Sequence, residues 1–205
     1  MNTEILDAVE NTDKATGLLK DGQIIALHTD TVYGLACVYN NEEAVKNLYQ
    51  VKNRPFNKPF SILVSDVEMA EKIADVTPKA KKLFARYKGN ITLVLNKKDV
   101  VPDVVTAGLK TVGIRIPNDS IVNEIISKLG EPIVASSANL SGEIPPTTAE
   151  KVYETLQGRI PLILDHGKST EGVPSTIVDI TSMVPRILRE GPAPIAQILR
   201  DLSAF

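Results

Sequence analysis

Four short polar clusters interrupt the apolar stretches of this 205-residue chain and carry most of its candidate chemistry. "HTDT", His28 to Thr31, follows the apolar run Ile24 to Leu27, and "SSANLSG", Ser136 to Gly142, follows "PIVA". "KNRPFNK", Lys52 to Lys58, gathers Lys52, Arg54 and Lys58 around Pro55, and "GVPST" covers 172–176. Pro55 and Pro59 restrict φ and so lower the entropy lost in holding the three cations together. Such a loop suits phosphate or carboxylate oxygens, which ammonium and guanidinium groups bind by charge-assisted hydrogen bonds. Ser136, Ser137, Asn139 and Ser141 offer hydroxyl and amide groups beside backbone N–H groups, a set able to hold phosphate oxygens or a nucleoside. Any one cluster also reads as a solvated turn. Their recurrence at strand exits or turns is what argues for a shared site, since ligands of open α/β sheets bind beyond strand ends.

Other chemistries lack their residues. No G-x-S-x-G elbow, P-loop or G-x-G-x-x-G fingerprint occurs. His28 and His166 have no spacing that singles out a serine partner, so neither joins a catalytic list, and no residue is assigned as acid, base or nucleophile. One cysteine and two distant histidines cannot make a structural zinc site, whereas Mg²⁺ carried in by a nucleotide needs few protein ligands. Cys37 sits in the apolar run "GLACVY", which suits a small buried hydrophobe.

These clusters need a frame, and the hydrophobic pattern supplies one. Strand-like runs ("QIIALH", "LACVY", "FSILVS", "ITLVLN", "TVGIRIP", "PIVASSA", "PLILDHG", "STIVDIT", "RILRE") alternate with helical stretches ("EEAVKNLYQVKN", "VEMAEKIA", "TPKAKKLFARY", "SIVNEIISKLG", "TTAEKVYETLQ", "IAQILRDL"). The first helix is expected over 4–20, ended by "DG" at 21–22, and Thr77–Pro78 forms a standard helix start. Abutting strand runs near both ends predict hairpins, hence a mixed sheet flanked by helices. No repeat or low-complexity linker divides the chain, which reads as a single α/β domain over 1–205.

Composition fits a globular protein, with 43% hydrophobic and 23% charged residues. No signal-like start or run of about 18 apolar residues occurs, so a cytoplasmic protein without membrane contact is expected. A net charge of −2 and only nine Tyr and Phe residues argue against a broad basic, aromatic face for nucleic acid.

Taken in order, "TDTVYGL" (29–35), "KNRPFNKPFSILV" (52–64), "TVGIRIP" (111–117), "SSANLSG" (136–142), "STIVDI" (175–180) and "ILREG" (187–191) resemble the threonylcarbamoyl-AMP synthase family, also called YrdC or TsaC. The resemblance implies a twisted sheet around a deep concave cavity. It also implies a nucleotidyltransferase that makes threonylcarbamoyl-adenylate and pyrophosphate from L-threonine, bicarbonate or CO₂, and Mg·ATP. Such enzymes pass their product to a transferase that modifies tRNA. By motif, Thr31 should contact threonine, Lys52, Arg54 and Lys58 the phosphates and carboxylates, Thr111 the nucleotide, and Arg115 a carboxylate. Ser137 and Asn139 should bind the adenylate, with Ser175 and Arg189 closing the site. The motifs depart from the family pattern in three places: His28 stands where many relatives have proline, "KGNIT" where P-G-P-x-T is common, and Pro145 where a serine is frequent. The chain ends soon after the last motif, as expected of a short form without an extra C-terminal domain. An RNA- or tRNA-binding module without catalysis, or a paralogue with another carbamoylation substrate, remains open at this point.

Overall fold

Among the described residues ten strands join edge to edge in one mixed sheet, in the order β1-β8-β2-β3-β7-β4-β6-β5-β9-β10. They are β1 (Glu4–Asp7), β2 (Ile25–Leu27), β3 (Gly34–Val38), β4 (Ser61–Leu63), β5 (Ile91–Asn96), β6 (Thr111–Arg115), β7 (Ile133–Ser137), β8 (Leu162–Asp165), β9 (Thr176–Asp179) and β10 (Arg186–Arg189). The helices are α1 (Thr12–Lys20), α2 (Glu42–Val51), α3 (Val67–Ile73), α4 (Pro78–Arg86), α5 (Asp103–Thr106), α6 (Ser120–Leu129), α7 (Ala149–Leu156) and α8 (Ile195–Ser203). The structure, a computed structural model, describes residues 2–203.

The expected hairpins form. β2 pairs antiparallel with β3, and β9 with β10, while β4–β6, β5–β9, β2–β8 and β1–β8 are parallel. Every residue of β2 and β3 is buried, as central strands with near-continuous apolar sequence should be. α1 lies against α6 and against β2 and β3, α2 against β3, and α4 against β5 and α8. Thr77 caps α4, its hydroxyl accepting from the Ala80 N–H at 3.2 Å, with Pro78 in the first turn. Cys37 is fully buried, and burial pushes its thiol up to about 12, which leaves it no nucleophilic character near neutral pH.

One element differs from the sequence expectation. Residues 4–7 are not the start of a helix but the edge strand β1, and α1 begins at Thr12. The Asp7 carboxylate accepts from the N–H groups of Val9 and Glu10 at 2.9 and 3.1 Å, a local turn that breaks any helix before it can run on. The strand's partner, β8, lies more than 150 residues downstream, so local periodicity carries no trace of the pairing.

Candidate functional site

The four polar clusters converge. A pocket of about 190 Å³ opens where β2, β7 and the β4–β6–β5 group present their ends. Its lining comes from the turn after β2 (Thr29, Thr31, Val32), the loop into β4 (Arg54, Pro59, Phe60), the end of β7 (Ser136, Ser137) and the segment entering β9 (Pro174, Ser175). Thr92 of β5, Arg115 of β6 and Arg189 of β10 complete it.

Three arginines define its electrostatics. Arg115, at the end of β6, is buried and donates Nε to the Gly89 carbonyl at 2.7 Å and Nη2 to the Asp30 carboxylate. Burial lowers its pKa while Asp30 and Asp119 raise it, so its charge is largely balanced within the protein. Gly89, at φ +85°, makes that pair reachable, because a Cβ there would overlap the Asp30 carboxylate and the side chain of Asn118. Arg54 and Arg189 are different. Arg54 donates to the carbonyls of Lys58 and Pro59 at 3.1 and 2.8 Å, and Arg189 donates Nε and Nη2 to the Ser175 carbonyl at 2.9 and 2.8 Å. These carbonyls fix the guanidinium groups without neutralising them. Burial first, then the charges of Arg115 and Arg54, depress the pKa of Arg189. The three cations therefore feel one another across the pocket, which suits a ligand of several negative charges.

Hydroxyl groups line the rest. Thr29 and Thr31 place their Oγ1 atoms 3.1 Å apart, and the Thr29 hydroxyl donates to the Val32 carbonyl at 2.6 Å, so "HTDT" is both a tight turn and a pocket wall. The Thr92 and Ser175 hydroxyls meet at 2.7 Å. Behind the turn, His28 Nδ1 sits 2.8 Å from Asp119 Oδ2, and Asp119 Oδ1 caps α6 through the N–H groups of Ile121 and Val122 at 3.0 Å each. Burial alone would raise the Asp119 pKa, but these hydrogen bonds outweigh it and hold the carboxyl below its ordinary value.

Of the ten residues singled out from the sequence, Thr31, Arg54, Arg115, Ser137, Ser175 and Arg189 line the pocket. The other four do not. Lys52, expected to contact phosphates and carboxylates, is instead 1% exposed, with Nζ donating to the carbonyls of Ser137 and Asn139, the latter at 2.7 Å. It caps the end of α2 and ties that helix to the "SSAN" turn instead of facing the pocket. Lys58 is exposed, and its contribution is a carbonyl that accepts from Tyr49 Oη at 3.0 Å and from Arg54 Nε. Thr111 begins β6 opposite Asn96, four residues and so about 13 Å from Arg115 along the strand. Asn139 is buried, its Nδ2 donating to the carbonyls of Leu140 and Glu143 at 2.8 and 2.9 Å, which shapes the turn from within. Ser136, named in its cluster but given no role by motif, also lines the pocket, as do Thr29, Ser61 and Thr92, which were assigned no role, and Asp30 is the Arg115 counter-ion. For Asp30 the signal was its place inside the polar cluster "HTDT"; for Ser61 it was only the polar head of an apolar run.

Among the described residues no group of three or more His, Cys, Asp or Glu could hold a metal ion, and no helix is long and apolar enough to cross a membrane.

The family model named Sua5_yciO_yrdC, described as telomere recombination, matches residues 17–191. A threonylcarbamoyl-AMP synthase of Pyrococcus abyssi is 39% identical over 186 residues, covering 90% of this chain and 55% of that protein. A putative threonylcarbamoyl-AMP synthase of Methanocaldococcus jannaschii is 37% identical and covers 88% of this chain and 85% of its own length. The crystal structure of P. abyssi Sua5 complexed with L-threonine superposes with a TM-score of 0.90 at 38% identity, covering 98% of this chain and 59% of that one. The chain thus spans little more than half the length of the Pyrococcus relative.

Proposed function

Because this chain belongs to the Sua5/YciO/YrdC family, we propose that it joins L-threonine, bicarbonate or CO₂, and ATP into threonylcarbamoyl-AMP and pyrophosphate. The observation that carries the reading is the pair Arg54 and Arg189, fixed by backbone carbonyls at the edge of a hydroxyl-lined pocket and, among the described residues, left without carboxylate partners. A pocket so built favours an anion, and the reaction assembles three.

The neutral threonine amine adds to CO₂ and gives up a proton to solvent, or adds to bicarbonate with loss of water, and either route gives a carbamate. A carbamate oxygen then attacks the α-phosphorus of ATP, and pyrophosphate departs with the electron pair of the bond that breaks. No step needs a covalent nucleophile on the protein. The barrier falls through proximity and through fixed cations placed where charge builds up, which is how phosphoryl and adenylyl transfer is assisted in general. In this reading Thr31 and its neighbour Thr29 hold threonine, Arg54 and Arg189 hold phosphate or carboxylate oxygens, Ser137 and Ser175 donate to the adenylate, and Arg115 acts from behind with Asp30 balancing it. Lys52, Asn139 and Lys58 shape the walls. Magnesium comes with ATP, since the charged side chains lining the pocket are arginines and offer it no carboxylate. Handover of the product to a tRNA threonylcarbamoyl transferase, in the cytoplasm, belongs to the same proposal.

The test is to incubate the protein with L-threonine, bicarbonate and Mg·ATP and to follow pyrophosphate. Release that requires both threonine and bicarbonate supports the reading. ATP turnover indifferent to them refutes it, and tight tRNA binding without pyrophosphate release would favour a binding module.

A further inference from the structure

We propose that Gly191 is a positioning residue for the anion-binding wall: its lack of a side chain lets the segment after β10 lie flush on Pro174–Thr176 and so fixes where Ser175 and Arg189 stand. The inference deepens the proposed site and rests on the arginine wall being an anion site, not on the identity of the amino acid or of the reaction.

The contact is unusually close. A Cβ on Gly191 would fall 2.6 Å from the carbonyl carbon of Ser175, and nearer still to the Pro174 oxygen and the Thr176 nitrogen. All three are backbone atoms, which cannot swing aside as a flexible side chain would. The two strips of chain are also bonded on either side of that point. Arg189 donates twice to the Ser175 carbonyl and lies 3.3 Å from its hydroxyl. Beyond the glycine, Thr176 Oγ1 accepts from the Ala193 N–H and donates to the Ala193 carbonyl, both at 3.1 Å. Thr176 N in turn donates to the Asn90 carbonyl at 2.9 Å, and Ser175 meets Thr92 of β5. The seam thus transmits its spacing directly to Ser175, Thr92 and Arg189. At the far end, α8 is held on the end of α4 by Tyr87 Oη donating to Asp201 at 2.5 Å and by Arg86 at 3.1 Å from the same carboxylate, so the strip has little freedom to slide away.

Gly191→Ala must therefore push β10's end off the Ser175 backbone and misplace the guanidinium. Inorganic pyrophosphate is a suitable probe, because its binding reads the arginine wall whether or not the protein turns over threonine. By calorimetric titration, Gly191→Ala should weaken pyrophosphate binding by about tenfold, the scale set by one misplaced charge-assisted contact. In an Arg189→Lys background, where the forked bonds to Ser175 are already lost, the same substitution should change binding by less than about twofold, because the two act through one element. Thr176→Val, which keeps shape but removes both bonds to Ala193, loosens the seam from its other side and should weaken binding in the same direction; it stands in if Gly191→Ala fails to fold. Pyrophosphate affinity in folded Gly191→Ala within twofold of wild type overturns the proposal, as does equal weakening in both backgrounds, which would mark a general loss of stability. Absence of threonine-dependent turnover with this coupling intact would instead remove the synthase reading alone.

Discussion

Replacing Lys52 by methionine should change how the protein's stability depends on pH, and the size of the change follows from where the ammonium sits. Lys52 is 1% exposed, and burial first, with the charge of Arg54 second, lowers its pKa to about 7 from an ordinary value near 10.5. The two carbonyl acceptors, of Ser137 and Asn139, need two N–H donors, which the neutral amine still provides. The folded pKa lies below the unfolded one, so between about pH 7 and pH 10.5 the unfolded chain binds more protons and stability rises with pH; below pH 7 both states are protonated and the dependence vanishes. One pKa unit is worth about 1.4 kcal/mol, so the Lys52 contribution should grow by roughly 1 kcal/mol between about pH 7.5 and pH 8.5. Urea unfolding of wild type and Lys52→Met across that range isolates it, because other titrating groups cancel in the difference. The variant should also lose roughly 2 to 6 kcal/mol from two buried carbonyls left without donors, partly offset by removal of the buried charge. Parallel pH profiles for the two proteins would refute the assignment of Lys52 as a buried, titrating clamp.

Three further perturbations separate roles within the pocket. Arg54→Ala should lower kcat/KM about 10- to 200-fold, from roughly 1.5 to 3 kcal/mol for a lost charge-assisted contact, with the urea midpoint nearly unchanged; steady-state kinetics of pyrophosphate release and a melt measure both. Thr31→Val keeps the shape of the turn after β2 but removes a pocket hydroxyl, so threonine should bind more weakly, by roughly 1 to 3 kcal/mol, while ATP binds as before; a calorimetric result with the ligands reversed would turn that wall toward the nucleotide. Asp30→Asn leaves the buried guanidinium of Arg115 without its counter-ion and should destabilise the fold by about 3 to 5 kcal/mol, far more than Arg54→Ala, as unfolding curves would report.

The alternation of apolar runs and helical periods, the caps at Thr77–Pro78 and the hairpins at both ends are local properties, so residue order alone determined the α/β class, the mixed sheet and most element boundaries. The same holds for the recurrence of polar clusters at strand exits, which by itself marked the segments that hold Thr31, Arg54, Ser137 and Ser175, whereas Arg115 and Arg189 were implied only by the family resemblance. What residue order could not give is direction and distance. Lys52 and Arg54 are two residues apart in one basic motif, yet the end of α2 turns Lys52 inward to cap the "SSAN" turn and leaves Arg54 on the pocket. Thr111 and Arg115 share a motif, but opposite ends of a strand separate them. β1 reads as helix until β8 arrives from the other end of the chain, and Asp30 becomes a counter-ion only because β6 brings Arg115 beside it. Each of these depends on contacts between segments remote in sequence, whose burial and pairing override local preference, and only the tertiary structure fixes which segments meet.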